Sequence, residues 1–441
     1  MYINKPYPES LTADQAIKKI PAGSNLWIHS NCAFPELLVN ALCKRISEEG
    51  ESLKHINIYQ LFTFQKAGYA SAGMEKFCTV KSLFTGASVR EAVNSCRADF
   101  TPVFLSEIPK LLETKKIPID VALIQLSPPD KHGFCSFGVS NECSKIAAEN
   151  SRMIIAHINP EMPRVLGDNF IHISRLNYIV EESFPVSTLP MVSDKISEEE
   201  KKVYERIGKN IASLINDGDT LQMGIGAIPD AVLPHLKAKN DLGIHTEMFS
   251  DGLIDLMKTG VVNGSRKTLL EEKVVASFVI GTKNLFDFID DNPLIEFRTS
   301  KFTNDPFVIS RNDNMISINS AIEIDLTGQV CADSIGNRLY SGFGGQVDFI
   351  RGAARSKNGK PIIAIPSTAK NGKISKIMPL LTSGAGVTTS RGDVHYVITE
   401  HGIADLFGKT IRERVELLIS IAHPNFRDEL TQKAKELKYF W

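Results

Sequence analysis

Glu247 is the residue best placed to do chemistry, in the segment 243–252 (Gly-Ile-His-Thr-Glu-Met-Phe-Ser-Asp-Gly). The apolar run that ends at Thr246 predicts a strand, and Ser250-Asp251 could cap the helix that follows. Glu247 would then stand at the carboxyl end of a strand, where open α/β sheets bind their ligands. A carboxylate in that place could act as a nucleophile. The alternative is an ordinary surface glutamate between two elements.

Two glycine-rich turns could supply the backbone N–H groups that stabilise a developing oxyanion. The first, 224–226 (Gly-Ile-Gly), ends a predicted strand and opens a predicted helix, so it could also hold an anion. The second, 342–345 (Gly-Phe-Gly-Gly), contains three glycines, and glycine is used where the backbone approaches a ligand or adopts positive φ. A tight strand–helix turn without a ligand is the alternative for the first, which is a weak motif by itself, and a loop or bulge explains the second equally well.

The spacing of the first turn also fits a different class of protein. Glu247 follows Gly226 by 21 residues, about where a dinucleotide-binding fold places the acidic residue that binds ribose. Pro229 stands where the third glycine of that fingerprint would be, so the fingerprint is incomplete. A nicotinamide-dependent oxidoreductase therefore remains an alternative at this stage.

A second strand-end carboxylate occurs at Glu400, in 397–405 (Val-Ile-Thr-Glu-His-Gly-Ile-Ala-Asp). It could be a further acid in the same crevice or a charge that caps a helix. His401 alone favours a structural role, and Asn304, in Phe-Thr-Asn-Asp-Pro, alone favours a turn.

The composition excludes several classes of partner. The chain has 441 residues, 43% of them hydrophobic and 23% charged, with a formal net charge of −1. Neither nucleic acid nor a membrane is expected as a partner, because basic excess, long apolar runs and a signal-peptide pattern are all missing from the sequence. Seven cysteines without a Cys-x-x-Cys pair predict reduced thiols in the cytoplasm. The ten histidines lack metal-ligand spacing, so no metal is predicted.

Strand-like and helix-like segments alternate along the whole chain, which predicts βαβ units with parallel sheets. The runs 120–126 and 153–158 are continuously apolar, as in buried parallel strands. The sequence pattern changes near residue 195, where Ser197-Glu-Glu-Glu200 has the form of a capping box before a long amphipathic helix. We therefore predict two open α/β domains, 1–192 and 193–441, with the site in the crevice between them.

Taken together, the motifs resemble the acetyl-CoA hydrolase/transferase group of class I coenzyme A transferases over nearly the whole chain. The residues of these motifs are most similar to the 4-hydroxybutyrate or butyrate CoA-transferase branch, and less similar to the succinate:acetate branch. The matching segments are 222–226 (Gln-Met-Gly-Ile-Gly), 243–252, 317–328 (Ser-Ile-Asn-Ser-Ala-Ile-Glu-Ile-Asp-Leu-Thr-Gly), 342–349 (Gly-Phe-Gly-Gly-Gln-Val-Asp-Phe), 399–406 (Thr-Glu-His-Gly-Ile-Ala-Asp-Leu) and, in the first half, 159–163 (Asn-Pro-Glu-Met-Pro).

The resemblance implies a role for each candidate residue. Glu247 takes the place of the catalytic glutamate. Ile225, flanked by Gly224 and Gly226, and either Gly344 or Gly345 take the places of the oxyanion and CoA-binding turns. Glu400 and Asn304 match positions that support the catalytic carboxylate.

The implied reaction moves CoA between an acyl-CoA and a short-chain carboxylate through a glutamyl-CoA thioester. CoA is then a substrate, no tightly bound cofactor is expected, and the expected assembly is a homodimer. An acyl-CoA or acetyl-CoA hydrolase would use the same site with water as the acceptor. A non-catalytic protein that binds CoA or a nucleotide is a third alternative, because a fold alone proves no chemistry.

Overall fold

The computed structural model describes residues 7–189, 197–224 and 226–439. Within them the chain forms two compact units. Unit 1 contains residues 7–189 together with Val275–Thr303 and Tyr340–Gly344. Unit 2 contains the described residues of 197–274, Asn304–Leu339 and 345–439. The second half of the chain is therefore shared between the two units. A single boundary at 192/193 does not describe this sharing. The domain ranges 1–192 and 193–441 stay a prediction.

The helices and strands alternate as the sequence predicts. The helices are α1 Ala13–Lys18, α2 Glu36–Glu49, α3 Ala87–Asn94, α4 Ile108–Glu113, α5 Ser144–Asn150, α6 Glu198–Ala212, α7 Ala227–Val232, α8 Gly252–Lys258, α9 Lys283–Ile289, α10 Ser300–Thr303, α11 Pro306–Ile309, α12 Gln346–Arg355, α13 Ile411–Ser420 and α14 Pro424–Glu436. The strands are β1 Glu9–Ser10, β2 Asn25–Ile28, β3 Ile56–Gln60, β4 Cys78–Ser82, β5 Ala98–Phe100, β6 Val121–Leu126, β7 Phe134–Ser136, β8 Met153–Ile158, β9 Phe170–His172, β10 Tyr178–Glu181, β11 Thr220–Met223, β12 Gly243–His245, β13 Met248–Phe249, β14 Val274–Ala276, β15 Phe278–Val279, β16 Ile295–Phe297, β17 Met315–Ser320, β18 Glu323–Asp325, β19 Val330–Cys331, β20 Ser334–Ile335, β21 Arg338–Leu339, β22 Lys360–Ala364, β23 Thr368–Ala369, β24 Ile374–Ser375, β25 Ile377–Met378, β26 Tyr396–Thr399 and β27 Gly402–Asp405.

Unit 1 is built on a sheet with the strand order β1-β10-β8-β6-β2-β3-β4-β5, in which every pairing is parallel. All six residues of β6 are buried, and so are five of the six residues of β8. Strands buried on both faces have no polar face to alternate with, which explains their continuous apolar sequence. Trp27 and Phe137 are among the largest side chains in this core.

Unit 2 contains a second sheet, in which six strands follow the order β12-β11-β17-β22-β26-β27. The pairings from β12 to β26 are parallel, and β27 pairs antiparallel with β26. The carboxyl ends of β12, β11, β17, β22 and β26 therefore meet at one edge of the sheet. This edge is where ligands of open α/β sheets are bound.

Local signals in the sequence explain where several helices begin. Capping boxes are formed by Thr12 with Gln15 and by Ser197 with Glu200, and each satisfies two N–H groups at a helix start. The helix predicted after the first glycine turn is present but short: α7 ends at Val232, and a 3₁₀ turn, Leu233–Leu236, follows it. Pro234 cannot donate the hydrogen bond that would continue the α-helix.

One alternative offered for Glu400, a charge that caps a helix, is wrong. Glu400 does not precede a helix, because it lies in the turn between β26 and β27. Among residues 7–189, 197–224 and 226–439, none of the helices has the length and apolar composition required to cross a lipid bilayer.

Candidate active site

Glu247 lies in the loop that directly follows β12, as the sequence predicts. The buried Thr246 holds this loop in place. Its hydroxyl is within hydrogen-bond distance of two carbonyl oxygens, 3.1 Å from that of Met223 and 2.9 Å from that of Met248. Met223 is the last residue of the neighbouring strand β11. The loop is therefore tied to the carboxyl end of β11, and the Glu247 side chain remains half-buried.

The amide of Asn304 is hydrogen-bonded to the Glu247 carboxylate. Its Nδ2 donates to Oε2 of Glu247 over 3.1 Å, and Asn304 itself is fully buried. The next residue, Asp305, caps α11 by accepting a 2.8 Å hydrogen bond from the backbone N–H of Phe307. That cap fixes the backbone beside Asn304, so the amide is held in place where it meets the carboxylate.

Gly345 lies directly against the same carboxylate. A Cβ added at Gly345 would fall 2.0 Å from Oε2 of Glu247 and 2.2 Å from Nδ2 of Asn304. Its φ of −97° is open to any residue, so the requirement for glycine is steric. Gly345 is also the residue before α12, and the start of a ten-residue helix favours negative charge.

Gly344 is required for a different reason. Its φ of +54° lies in the left-handed region, which glycine adopts without strain. A Cβ there would approach the ring of Phe84 at 3.3 Å, and the carbonyl oxygen of Gly344 accepts a 3.0 Å hydrogen bond from the N–H of Leu105. Of the two candidate glycines, Gly345 is the one whose backbone lies beside Glu247.

The turn at 224–226 is described only in part, because Ile225 lies outside the described residues. Gly226 has φ +113° and ψ −176°, a conformation that is essentially restricted to glycine. Among the described residues, no atom beyond the neighbouring residues in the chain lies within 4 Å of a Cβ added at Gly224 or Gly226. The glycine at 226 is therefore explained by backbone conformation, and the donor role of Ile225 stays a prediction.

Glu400 lies in a separate polar cluster at the same edge of the sheet. Its carboxylate accepts a 2.9 Å hydrogen bond from the N–H of Ser367 and a 2.5 Å hydrogen bond from the Ser367 hydroxyl. His401 Nε2 lies 3.5 Å from it, and the Glu400 side chain is only 4% exposed. Burial lowers the pKa of the nearby Lys376 to about 8, although the negative charge of Glu400 acts to raise it. These hydrogen bonds join the carboxyl ends of β22 and β26, so Glu400 supports the edge of the sheet on which the site is built.

Sequence reasoning missed Ser367 and Asp230. Ser367 comes shortly after β22, so the rule that selected Glu247, a polar side chain at a strand end, would also have found it. Burial raises the pKa of Asp230 to about 6, with the charge of Asp251 as the second cause. Asp230 lies in α7 and had no signal beyond its place after the glycine turn.

In the described part of the chain, no group of three or more His, Cys, Asp or Glu side chains is arranged to hold a metal ion. The chemical groups gathered here are a carboxylate, an amide donor and the backbone at the start of a helix. Such a set can position a carboxylate for attack on a carbonyl carbon and can stabilise the negative charge that develops.

Comparison with known proteins identifies the family. Two family profiles match this chain: the acetyl-CoA hydrolase/transferase N-terminal domain over residues 1–190 and the acetyl-CoA hydrolase/transferase C-terminal domain over residues 281–434. The 4-hydroxybutyrate coenzyme A transferase of Clostridium kluyveri is 51% identical, with 98% of each chain covered. The butyryl-CoA:acetate CoA-transferase of Anaerostipes caccae is 35% identical, with 99% of this chain and 98% of the relative covered.

Solved structures agree with this assignment. RipA from Yersinia pestis has a TM-score of 0.90 at 36% identity, with 98% of each chain covered. A 4-hydroxybutyrate CoA-transferase from Porphyromonas gingivalis has a TM-score of 0.82 at 39% identity, with 97% of this chain and 98% of that chain covered. The motifs, the α/β fold and the match over nearly the full length all lead to one conclusion: the chain belongs to the acetyl-CoA hydrolase/transferase family.

Proposed function

We propose that this protein is a coenzyme A transferase that moves CoA between an acyl-CoA and a short-chain carboxylate. The acids are 4-hydroxybutyrate or butyrate, with acetate as the exchange partner. The observation that carries the proposal is the Glu247 carboxylate held by the Asn304 amide and lying against Gly345. The names of the relatives from Clostridium kluyveri and Anaerostipes caccae support the substrate class.

In the first half-reaction, an oxygen of Glu247 attacks the thioester carbonyl. A C–O bond forms and the C–S bond breaks, which gives an acyl–glutamyl anhydride and the CoA thiolate. The thiolate then attacks the glutamyl carbonyl carbon of this anhydride. A new C–S bond forms, the anhydride C–O bond breaks, and the first carboxylic acid leaves as its carboxylate. Glu247 now carries CoA as a thioester.

In the second half-reaction, the incoming carboxylate attacks the glutamyl thioester, and the steps run in reverse to give the new acyl-CoA and free Glu247. One activated acyl group replaces another at each step, so the reaction as written needs no redox, nucleotide or metal cofactor. CoA itself is a substrate.

The surroundings of Glu247 supply what a weak nucleophile needs. The Asn304 amide orients the carboxylate and can remain bonded to the glutamyl oxygen when that oxygen becomes an oxyanion. Gly345, at the start of α12, and Ile225 are the proposed backbone donors. A preorganised donor of this kind contributes on the order of 3–4 kcal/mol to the transition state, and positioning of the reactants ~7–11 kcal/mol. Glu400 acts indirectly in this proposal: its hydrogen bonds with Ser367 support the edge of the sheet on which the site is built.

The proposal includes a homodimeric assembly in the cytoplasm, with neither nucleic acid nor membrane as a partner. The near-zero net charge supports the absence of a polyanionic partner. The cysteines support a reducing compartment, because none of the seven forms a disulfide bond in the described part of the chain. Light scattering of the purified protein tests the dimer.

Hydrolysis of the glutamyl-CoA thioester is the second candidate. One relative, the acetyl-CoA hydrolase of Yarrowia lipolytica, is 26% identical over 99% of this chain. Incubation with butyryl-CoA and no acceptor separates the two functions. A stable mass increment of one CoA per chain supports the transferase, whereas continuous thiol release without a stable adduct supports the hydrolase. An unchanged mass and no thiol release contradict both.

A further inference from the structure

Gln222 and Asn319 form a hydrogen-bonded pair of amides near the carboxyl edge of the sheet in unit 2. Gln222 lies on β11 and is 4% exposed, and Asn319 lies on the neighbouring strand β17 and is half-buried. Oε1 of Gln222 accepts a 3.1 Å hydrogen bond from the backbone N–H of Ile318 and a second one of 3.1 Å from Nδ2 of Asn319. Neither amide side chain takes part in the reaction steps proposed above.

The backbone N–H of Ile318 fixes which way both amides face. An N–H group can only donate, so the atom of Gln222 that meets it is the amide oxygen. The same oxygen meets Asn319, so Asn319 presents its nitrogen. Nε2 of Gln222 and Oδ1 of Asn319 then remain as a donor and an acceptor. Within the described residues neither of these two atoms has a hydrogen-bond partner.

The amide pair lies on the face of the sheet that α12 covers. Successive side chains of a strand alternate between the two faces, so Met315 and Asn319, both on β17, share one face. Met315 packs with Phe349 of α12 in one core cluster. This helix begins directly after Gly345, which lies against Glu247. The carboxylate of Glu247 and the amide pair are therefore on the same face.

Gly224 lies between Glu247 and Asn319 at this edge. The register of β11 with β17 places Gly224 beside Asn319. On the other side of β11, the hydroxyl of Thr246 bonds to the end of that strand and keeps the loop of Glu247 next to it. Because Gly224 has no side chain, the described residues leave a gap between the carboxylate and the amide pair, with Gly224 as its floor.

The width of this gap matches a short acyl chain. The strands β12, β11 and β17 are neighbours in that order, so Glu247 and Asn319 are two strand spacings apart, roughly 10 Å. An attack distance and a hydrogen bond take ~3 Å each, which leaves roughly 4 Å between a reacting carbonyl carbon and a bound polar atom. A chain of three methylene groups spans such a distance.

The two free amide ends match the hydrogen bonding of a hydroxyl group. A hydroxyl oxygen accepts and donates at the same atom, so it can accept from Nε2 of Gln222 and donate to Oδ1 of Asn319. A methyl group in the same place would remove both ends from water without a partner, which is unfavourable. The pair therefore distinguishes an acid that ends in a hydroxyl from one that ends in a methyl group.

We infer that Gln222 and Asn319 are specificity-determining residues that bind the terminal hydroxyl of a short hydroxy acid, of which 4-hydroxybutyrate is the example, while Glu247 reacts at the other end. This inference rests on the proposed function, because it names the kind of acid that the transferase prefers. Pentanoate is the matched probe, because it has the same chain length with a methyl group in place of the hydroxyl.

The test compares 4-hydroxybutyrate with pentanoate as acceptors of CoA from acetyl-CoA. The wild type should prefer 4-hydroxybutyrate by about 100-fold in kcat/KM, because each of two neutral hydrogen bonds contributes roughly tenfold. Asn319→Leu keeps the volume and removes the acceptor, and Gln222→Met removes the donor. Each variant should lower the preference by roughly tenfold or more.

The preference is a ratio, so a loss of stability or a general loss of turnover, which lowers both rates together, does not change it. Gln432→Leu is the matched control: it replaces an exposed amide on α14 and should keep the wild-type preference. If Asn319→Leu does not fold, Gln222→Met decides alone.

Two results overturn the inference: a wild type that transfers CoA to both acids without preferring 4-hydroxybutyrate, or a preference that neither Asn319→Leu nor Gln222→Met lowers. Failure of the proposed function is recognised separately, because the wild type would then transfer CoA to neither acid. Calorimetric titration with the two free acids decides in that case. Tighter binding of 4-hydroxybutyrate that Asn319→Leu abolishes supports the hydroxyl site, and equal affinities for the two acids overturn it.

Discussion

Asn304 Nδ2 donates a hydrogen bond of 3.1 Å to Oε2 of Glu247, although the two residues are 57 positions apart. An amide is a neutral donor, so it can bind the glutamate before reaction and also when the glutamyl oxygen carries an oxyanion. A cationic donor would bind the free carboxylate more tightly and would slow its attack. The pair therefore suits a carboxylate that alternates between free and acylated states.

Glu247→Ala should abolish CoA transfer and leave the fold and the affinity for CoA intact, since the half-buried side chain serves chemistry more than packing. Glu247→Asp should lower kcat roughly 100-fold, because one methylene fewer withdraws the attacking oxygen by about 1 Å. Initial rates with butyryl-CoA and acetate measure both changes.

The matched control is Glu271→Ala, which removes an exposed glutamate from the same unit and should leave kcat unchanged. More than a few per cent of wild-type activity in Glu247→Ala would show that another group is the nucleophile.

Gly345→Ala should lower kcat much more than thermal stability. Its new Cβ would occupy the space of the Glu247 carboxylate and the Asn304 amide, and the backbone at φ −97° accepts alanine without strain. Gly344→Ala should show the opposite pattern, with a loss of about 1 kcal/mol or more in the free energy of unfolding, because its φ is +54°.

Kinetics and chemical unfolding of both variants test this contrast. If Gly345→Ala and Gly344→Ala lose equal stability and both turn over normally, Gly345 has no part in catalysis. The segment 342–345 is then an ordinary turn.

Asn304→Ala should lower kcat by about 100-fold with little change in the KM for butyryl-CoA. In the proposed mechanism the Asn304 amide donates to the developing oxyanion, and removal of one such donor costs on the order of 10²–10³ in kcat. Steady-state kinetics over a range of butyryl-CoA concentrations measures the division between kcat and KM.

Asp305→Ala is the neighbouring control. It removes the cap that accepts from Phe307 N–H and should cost about 1 kcal/mol of stability with a small effect on kcat. If Asn304→Ala instead raises KM alone, the amide binds substrate and does not stabilise the transition state.

A covalent adduct on Glu247 should form with acyl-CoA, and initial rates should follow ping-pong kinetics. Borohydride reduces a glutamyl thioester to an alcohol, so it should inactivate the enzyme only after butyryl-CoA has been added. Peptide mapping should place the reduced residue within 243–252. Intersecting double-reciprocal lines, together with inactivation that is independent of butyryl-CoA, would exclude the covalent route and leave Glu247 as a general base.

Much of the secondary structure could be predicted from the sequence because its causes are local. The capping box at Ser197 and the apolar runs of β6 and β8 specify an element within a few residues. The place of Glu247 at the end of a strand follows from the same kind of signal. The order of the family motifs along the chain was also readable, which is why the family could be recognised without a structure.

The tertiary structure decided which side chains meet. The two adjacent glycines 344 and 345 look alike in sequence, and only packing shows that Gly345 lies beside Glu247, 98 positions away. The partner of Glu400, Ser367, follows from the adjacency of β22 and β26 in the sheet. The close approach of Leu233 to Gly252, at the start of α8, depends on how distant segments pack. These contacts join residues far apart in the chain, and hydrophobic periodicity specifies which face of an element is buried but not which distant element covers it.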